Sequence, residues 1–153
     1  MTEYEKLLDE ADSYGLIVKE KPLKANNGRI CGNRLAIRKD RTETEKKCTM
    51  AEELGHYHTT VGDILDQSSA NNRKQELRAH DWAVRSLITL DDLIQAVKDG
   101  CRSTYDVADY LDITEDLLQD AINYYRRKYG VATHYNGYIV IFNDYNYVVY
   151  PEE

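Results

Sequence analysis

Residues 52–56 read Glu-Glu-Leu-Gly-His, and their types and spacing suit metal-assisted hydrolysis. On a helix, Glu52 and His56 stand one turn apart and share a face. Each offers a donor that a divalent cation accepts, a carboxylate oxygen and an imidazole nitrogen. Glu53 follows Glu52, at the position that the general base takes in a His-Glu-x-x-His motif. The first position of that motif is glutamate here, where histidine is the usual residue.

A catalytic ion needs a third protein ligand and an open position for water. Glu76 is the best candidate. It lies 20 residues after His56, and Ala79 and Ala83 flank its face. Such small residues let one helix approach another closely. Glu52, His56 and Glu76 would then be the metal ligands, with Glu53 taking a proton from water and passing it to the leaving amine. Two carboxylates place two negative charges on the ion and make the site harder, which favours Mn²⁺ more than a two-histidine Zn²⁺ site would. His58 is two residues from His56, about 200° around a continuous helix. It could join only if the helix ended there. His80 is one turn beyond Glu76, and either orients that carboxylate or is an exposed polar residue.

The elements that must position these groups are legible from capping and periodicity. Thr2-x-x-Glu5 and Thr42-x-x-Glu45 are capping-box patterns. They open predicted helices over residues 3–14 and 43–57, the second carrying the motif. A short extended run over 16–18 closes at Pro22. Residues 29–38 read as a hairpin around Gly32-Asn33. Residues 59–72 read as a loop or short helix anchored by Val61, Ile64 and Leu65. A long helix over 72–88 follows, with Ala79, Trp82, Ala83 and Leu87 as its apolar stripe. Two or three short helices fill 90–128. The remainder is strand-like, with Asn136-Gly137 as a hairpin turn. Trp82 reads as core, and His134 and the C-terminal tyrosines read as sheet surface and packing.

Composition bounds the alternatives. The chain has 153 residues, 42% of them apolar, enough for a hydrophobic core. No apolar run approaches the ~18 residues of a membrane span, and the acidic N-terminus has no apolar signal core, so a cytoplasmic protein with no membrane partner is expected. Cys31, Cys48 and Cys101 are odd in number and form no CxxC pair, which points to reduced thiols. Residues 1–85 balance 15 Lys/Arg against 15 Asp/Glu, whereas residues 86–153 hold 5 against 12. The stretch 105–118 has the rhythm of a helix-turn-helix. But residues 86–126 carry nine acids and three basic residues, and Glu115, Asp116 and Asp120 would repel phosphates. A structural or partner-docking piece is therefore expected, with no direct nucleic-acid partner.

Ala51-Glu52-Glu53-Leu54-Gly55-His56-Tyr57 and Glu76-Leu77-Arg78-Ala79-His80-Asp81-Trp82-Ala83 together resemble the ImmA/IrrE-type metallopeptidases. That family shows His-Glu-Leu-Gly-His in the first stretch and Glu-x-x-Ala-x-x-aromatic-Ala in the second. The resemblance places His56 and Glu76 on metal ligands and Glu53 on the catalytic base. It implies a zincin-like domain, with the strand at 35–37 as the edge strand that receives substrate. It also implies a protein substrate or partner, a repressor of a phage or other mobile element, which the protein cleaves or inactivates.

The expected architecture is α+β: a zincin-like core over residues 1–88, then a helical, helix-turn-helix-like piece and a C-terminal β hairpin over 89–153. The leading reading is a metal-dependent endopeptidase. The second is an antirepressor of the same fold that binds its partner without cutting it.

Overall fold

The computed structural model describes residues 1–59 and 69–153, with side chains from residue 72 onward in the second stretch. The apolar anchors Val61, Ile64 and Leu65 lie outside the described residues. The fold is mixed α+β, and the chain divides into two compact units, Met1–Ser86 and Leu87–Glu153.

The first unit opens with α1 (Glu3–Ser13), whose cap is Thr2: its hydroxyl accepts from the Glu5 amide at 3.1 Å. Tyr4, Leu7 and Ala11 form its buried stripe. Three strands follow: β1 (Ile17–Lys21), β2 (Gly28–Cys31) and β3 (Arg34–Arg38). The β2–β3 hairpin turns at Gly32, whose φ of 61° a side chain would resist. β1 pairs in parallel with the other side of β3, with Val18 opposite Leu35. The sheet order is therefore β1-β3-β2.

This order corrects one expectation. The strand at 35–37 is central and hydrogen-bonded on both sides, so it cannot receive an added strand. Hairpin patterning identifies β2 and β3 as neighbours, but it does not reveal that β1 returns to the far side of β3. The edge strand that lies over the motif helix is β2.

Alternation along the strands separates the two faces of the sheet. Val18, Gly28, Ile30, Leu35 and Ile37 point to one face and Ile17, Lys19, Lys21, Arg29, Cys31, Arg34, Ala36 and Arg38 to the other. Leu35 and Ile37 are almost fully buried. Against the first face packs α2 (Glu43–Thr59), which buries Lys47, Cys48, Met50, Ala51, Leu54 and Gly55. Its cap closes as the sequence predicts: the Glu45 amide donates to Thr42 Oγ1 at 3.1 Å and the Thr42 amide donates to Glu45 Oε1 at 3.3 Å. Lys46 ties α2 to β1 by an ion pair with Glu20 at 2.6 Å. The helix α3 (Ser69–Leu87) completes this unit, burying Ala79, Ala83 and Val84.

In the second unit, α4 (Leu90–Lys98) has a complete capping box formed by Thr89 and Asp92. α5 (Thr104–Leu111) and α6 (Glu115–Tyr129) follow, with Asp112 in the left-handed region between them. β4 (Ala132–Tyr135), β5 (Tyr138–Phe142) and β6 (Tyr147–Pro151) form an antiparallel sheet in that order. The C-terminal piece is thus a three-stranded meander, one strand more than a hairpin. Two tyrosines tie this unit together from inside: Tyr125 of α6 donates to the Ile88 carbonyl at 2.5 Å, and Tyr147 of β6 donates to the Leu93 carbonyl of α4 at 2.6 Å. Burial holds both phenols well above the usual tyrosine range. No helix among the described residues is long and apolar enough to cross a membrane.

Candidate metal centre

Two glycines set the geometry of the candidate site. Gly55, inside α2, faces the backbone of α3. A Cβ built on it would stand 2.3 Å from the Ala79 carbonyl oxygen and 3.0 Å from the Ala79 Cα. No other residue type fits this approach without moving a helix. Glycine in the middle of a helix costs about 1 kcal/mol relative to alanine, and here it brings α2 and α3 into backbone contact. The motif residue next to it, His56, consequently meets Glu76 on α3.

His56 Nε2 lies 3.3 Å from Glu76 Oε1. His80, one turn along α3, approaches the other oxygen of the same carboxylate, with Nε2 at 3.5 Å from Oε2. Donor atoms of Glu52 and His80 lie within 4.8 Å of each other. Glu52, His56 and His80 are half-buried, and Glu76 is more exposed, with 58% of its side-chain surface accessible. In a tetrahedral shell with bonds of ~2.0–2.2 Å, two ligand atoms stand ~3.3–3.6 Å apart. The His56–Glu76 separation already has that value. One imidazole and two carboxylates are also a donor set that zinc or manganese accepts. Among the described residues, then, His56 meets Glu76 and Glu52 lies with His80: acidic and imidazole donors for a divalent cation are present, but Glu52, His56 and Glu76 are not gathered into one shell.

Glu53 points toward the sheet. A Cβ on Gly28 would lie 3.0 Å from Glu53 Cγ, 3.2 Å from Glu53 Oε1 and 2.6 Å from Thr49 Cγ2. Glycine in β2 thus makes room for the carboxylate beneath the edge strand. Burial, then the charges of Glu52 and Glu76, push the Glu53 carboxyl up to about 7. The charges of Glu52 and Glu76 thus both reach the Glu53 carboxyl.

His58 takes no part. α2 continues through Thr59, so His58 is carried to a different side of the helix from His56. Its ring stacks on Trp82 with centroids 4.8 Å apart and meets Tyr14 edge-on at 4.7 Å. Trp82 is half-buried in this cluster and helps to clamp α3 against α2. His134 sits on exposed β4, where it pairs with Glu152.

Sequence reasoning did not single out Gly28, Thr49 or the packing role of Gly55. A signal was present for both glycines, since glycine inside a strand or helix often marks close backbone approach. Gly28 is masked by Asn26-Asn27 before it, which makes the tripeptide look like a plain turn.

The peptidase-family model described as IrrE N-terminal-like domain matches residues 11–123. The chain belongs to this family. No curated protein and no solved structure matches it. The matched stretch contains both segments on which the resemblance to ImmA/IrrE-type metallopeptidases rests, and with it a metallopeptidase-like role.

Proposed function

We propose that the protein is a metal-dependent endopeptidase of zincin-like architecture that acts on a partner protein, a transcriptional repressor of a phage or mobile element. The observation that carries this reading is the 3.3 Å meeting of His56 and Glu76 across α2 and α3, with Glu53 one residue after Glu52 and beneath the edge strand. Glu52, His56 and Glu76 would hold the ion, zinc or manganese, and His80 would orient Glu76. Bound there, the ion would act as a Lewis acid and lower the pKa of a water molecule.

The other roles fall to the chain itself. Among the described residues β2 pairs only with β3, and a substrate segment would pair along its other edge as an added strand. Gly28 puts no side chain between that strand and Glu53. The Glu53 carboxylate accepts a proton from the attacking water and returns it to the departing amine. The acidic α5–α6 pair, helix-turn-helix-like in outline, serves as a structural or docking element, because Glu115, Asp116 and Asp120 repel nucleic-acid phosphates.

Glu52 favours a second reading. A carboxylate in place of a histidine leaves the ion less able to polarise water, and a protein of this fold could then inactivate its partner by holding it. One experiment separates the two: incubation with a candidate partner repressor, comparing the native chain with Glu53→Gln. Cleavage by the native chain alone supports the endopeptidase. Equal inactivation by both without any cut supports the binder, and no effect on the repressor from either removes both readings.

A further inference from the structure

The outward face of the first sheet is a concentrated cation surface on an acidic protein. Residues 17–41 contain eight Lys/Arg and two Asp/Glu, a net +6 in a chain whose overall charge is −7. Strand register sorts these charges by face. Lys19, Ala36 and Arg29 form one row across β1, β3 and β2, Ile17, Arg34 and Cys31 the next, and Lys21 and Arg38 a third. No acidic side chain of the three strands points this way. Glu20 lies on the opposite face, paired with Lys46.

Arg38 is matched by Asp40 at 2.6 Å. Lys19, Lys21, Arg29 and Arg34 form no ion pair among the described residues, and all four are exposed. They border a trough of about 250 Å³ whose floor is the small side chain of Ala36. Small residues at the centre with long cations at the rim allow a backbone to lie close while its side chains reach outward.

We propose that this face docks an extended acidic segment of a partner polypeptide, with carboxylates at alternating positions. Cations two residues apart on a strand repeat at ~6.6–6.8 Å, and so do carboxylates two residues apart on an extended peptide. The match is one of charge and of spacing. Single-stranded nucleic acid fits less well, because the face carries no aromatic side chain on which bases stack. A DNA duplex would meet the repulsion of the chain's net negative charge. A second copy of this chain could offer its own acidic half, and self-association is therefore one of the outcomes that the test reads. The surface lies on the far side of the sheet from Glu53, so its role is independent of the metal-site reading: it would hold a partner that is cut or only captured.

The test uses the full chain and a labelled peptide of alternating glutamate and serine, followed by fluorescence anisotropy at near-physiological salt. A glutamine-serine peptide and a DNA duplex serve as comparison ligands. Saturable binding of the acidic peptide is expected, weakened about tenfold or more by Arg29→Glu with Arg34→Glu. Lys6→Glu, on α1, which packs against α2, and His56→Ala should leave it unchanged. Circular dichroism checks that the paired variant keeps its fold, and Lys19→Glu with Lys21→Glu repeats the test from β1. The proposal is overturned by no acidic-peptide binding, by equal loss in Lys6→Glu, by tighter binding of the duplex, or by salt-dependent self-association that the same substitutions abolish.

Discussion

Replacing Gly55 with alanine should separate two effects that usually travel together, helix stability and site integrity. On an isolated helix the change favours folding by about 1 kcal/mol. Here the new Cβ would stand 2.3 Å from the Ala79 carbonyl oxygen, more than ~1 Å inside the 3.5–4.0 Å that non-bonded atoms prefer. The obstructing atom is backbone, so no rotamer change relieves it. Overpacking of this kind costs ~1–3 kcal/mol, and rigid backbone places it at the upper end. The net loss is then about 2 kcal/mol, a fall in Tm of ~4–8 °C for a chain this size. Relief requires α3 to retreat by ~1 Å, which takes Glu76 away from His56, now 3.3 Å apart. Metal affinity, read by chelator competition, should drop by ~10–100-fold, as displacement of a supporting group does elsewhere. A Gly55→Ala protein with a raised Tm and unchanged metal affinity would refute the argument that this close approach builds the site.

The other expectations concern the same first unit. Gly28→Ala should depress turnover more than stability, because its Cβ crowds Thr49 and Glu53, and adding Thr49→Ser, which removes the methyl 2.6 Å away, should restore part of the loss. His80→Gln should weaken metal binding by about tenfold with little change in Tm, since it removes the imidazole that steadies Glu76. Tyr4 is pushed up to about 12 by burial, by the charge of Glu20 and by its hydrogen bond to Glu20. A folded pKa above the unfolded value of 10.0 means that its contribution is intact below pH 10 and is lost as pH rises toward 12. Denaturant midpoints measured from pH 9 to 11 should therefore fall, by at most ~1.4 kcal/mol per pH unit for this phenol, and Tyr4→Phe should flatten the fall.

Much of the fold could be read from local chemistry. Thr2 and Thr42 mark helix starts because their hydroxyls meet backbone amides three residues on, and the structure shows both bonds. Period-two alternation identified β2 and β3, because Leu35 and Ile37 must turn inward together. Neighbour relations were not readable in the same way. Nothing in Ile17–Lys21 says that it pairs with β3 in parallel, so the edge position that the family resemblance implies for 35–37 meets no check in the sequence. Likewise His58 could be placed only when the extent of α2 was known, since its direction depends on whether the helix continues past Tyr57. Small residues on α3 point to the pairing of His56 with Glu76, yet Gly55, the residue that allows the contact, looks in the sequence like nothing more than part of the motif. The basic sheet face is invisible in the charge of either half of the chain, since residues 1–85 cancel to zero, and only the strand register gathers the cations on one side.

The central claim is that Glu52, His56 and Glu76 hold a divalent ion. Its most direct test is the metal content of the purified full-length chain after loading with zinc or manganese and removal of excess ion without chelators. About one ion per chain is predicted for the native protein, with near-complete loss in His56→Ala and in Glu76→Ala, and with tighter retention in Glu52→His. Absence of stoichiometric metal in the native protein, or full retention in both alanine variants, would contradict the account.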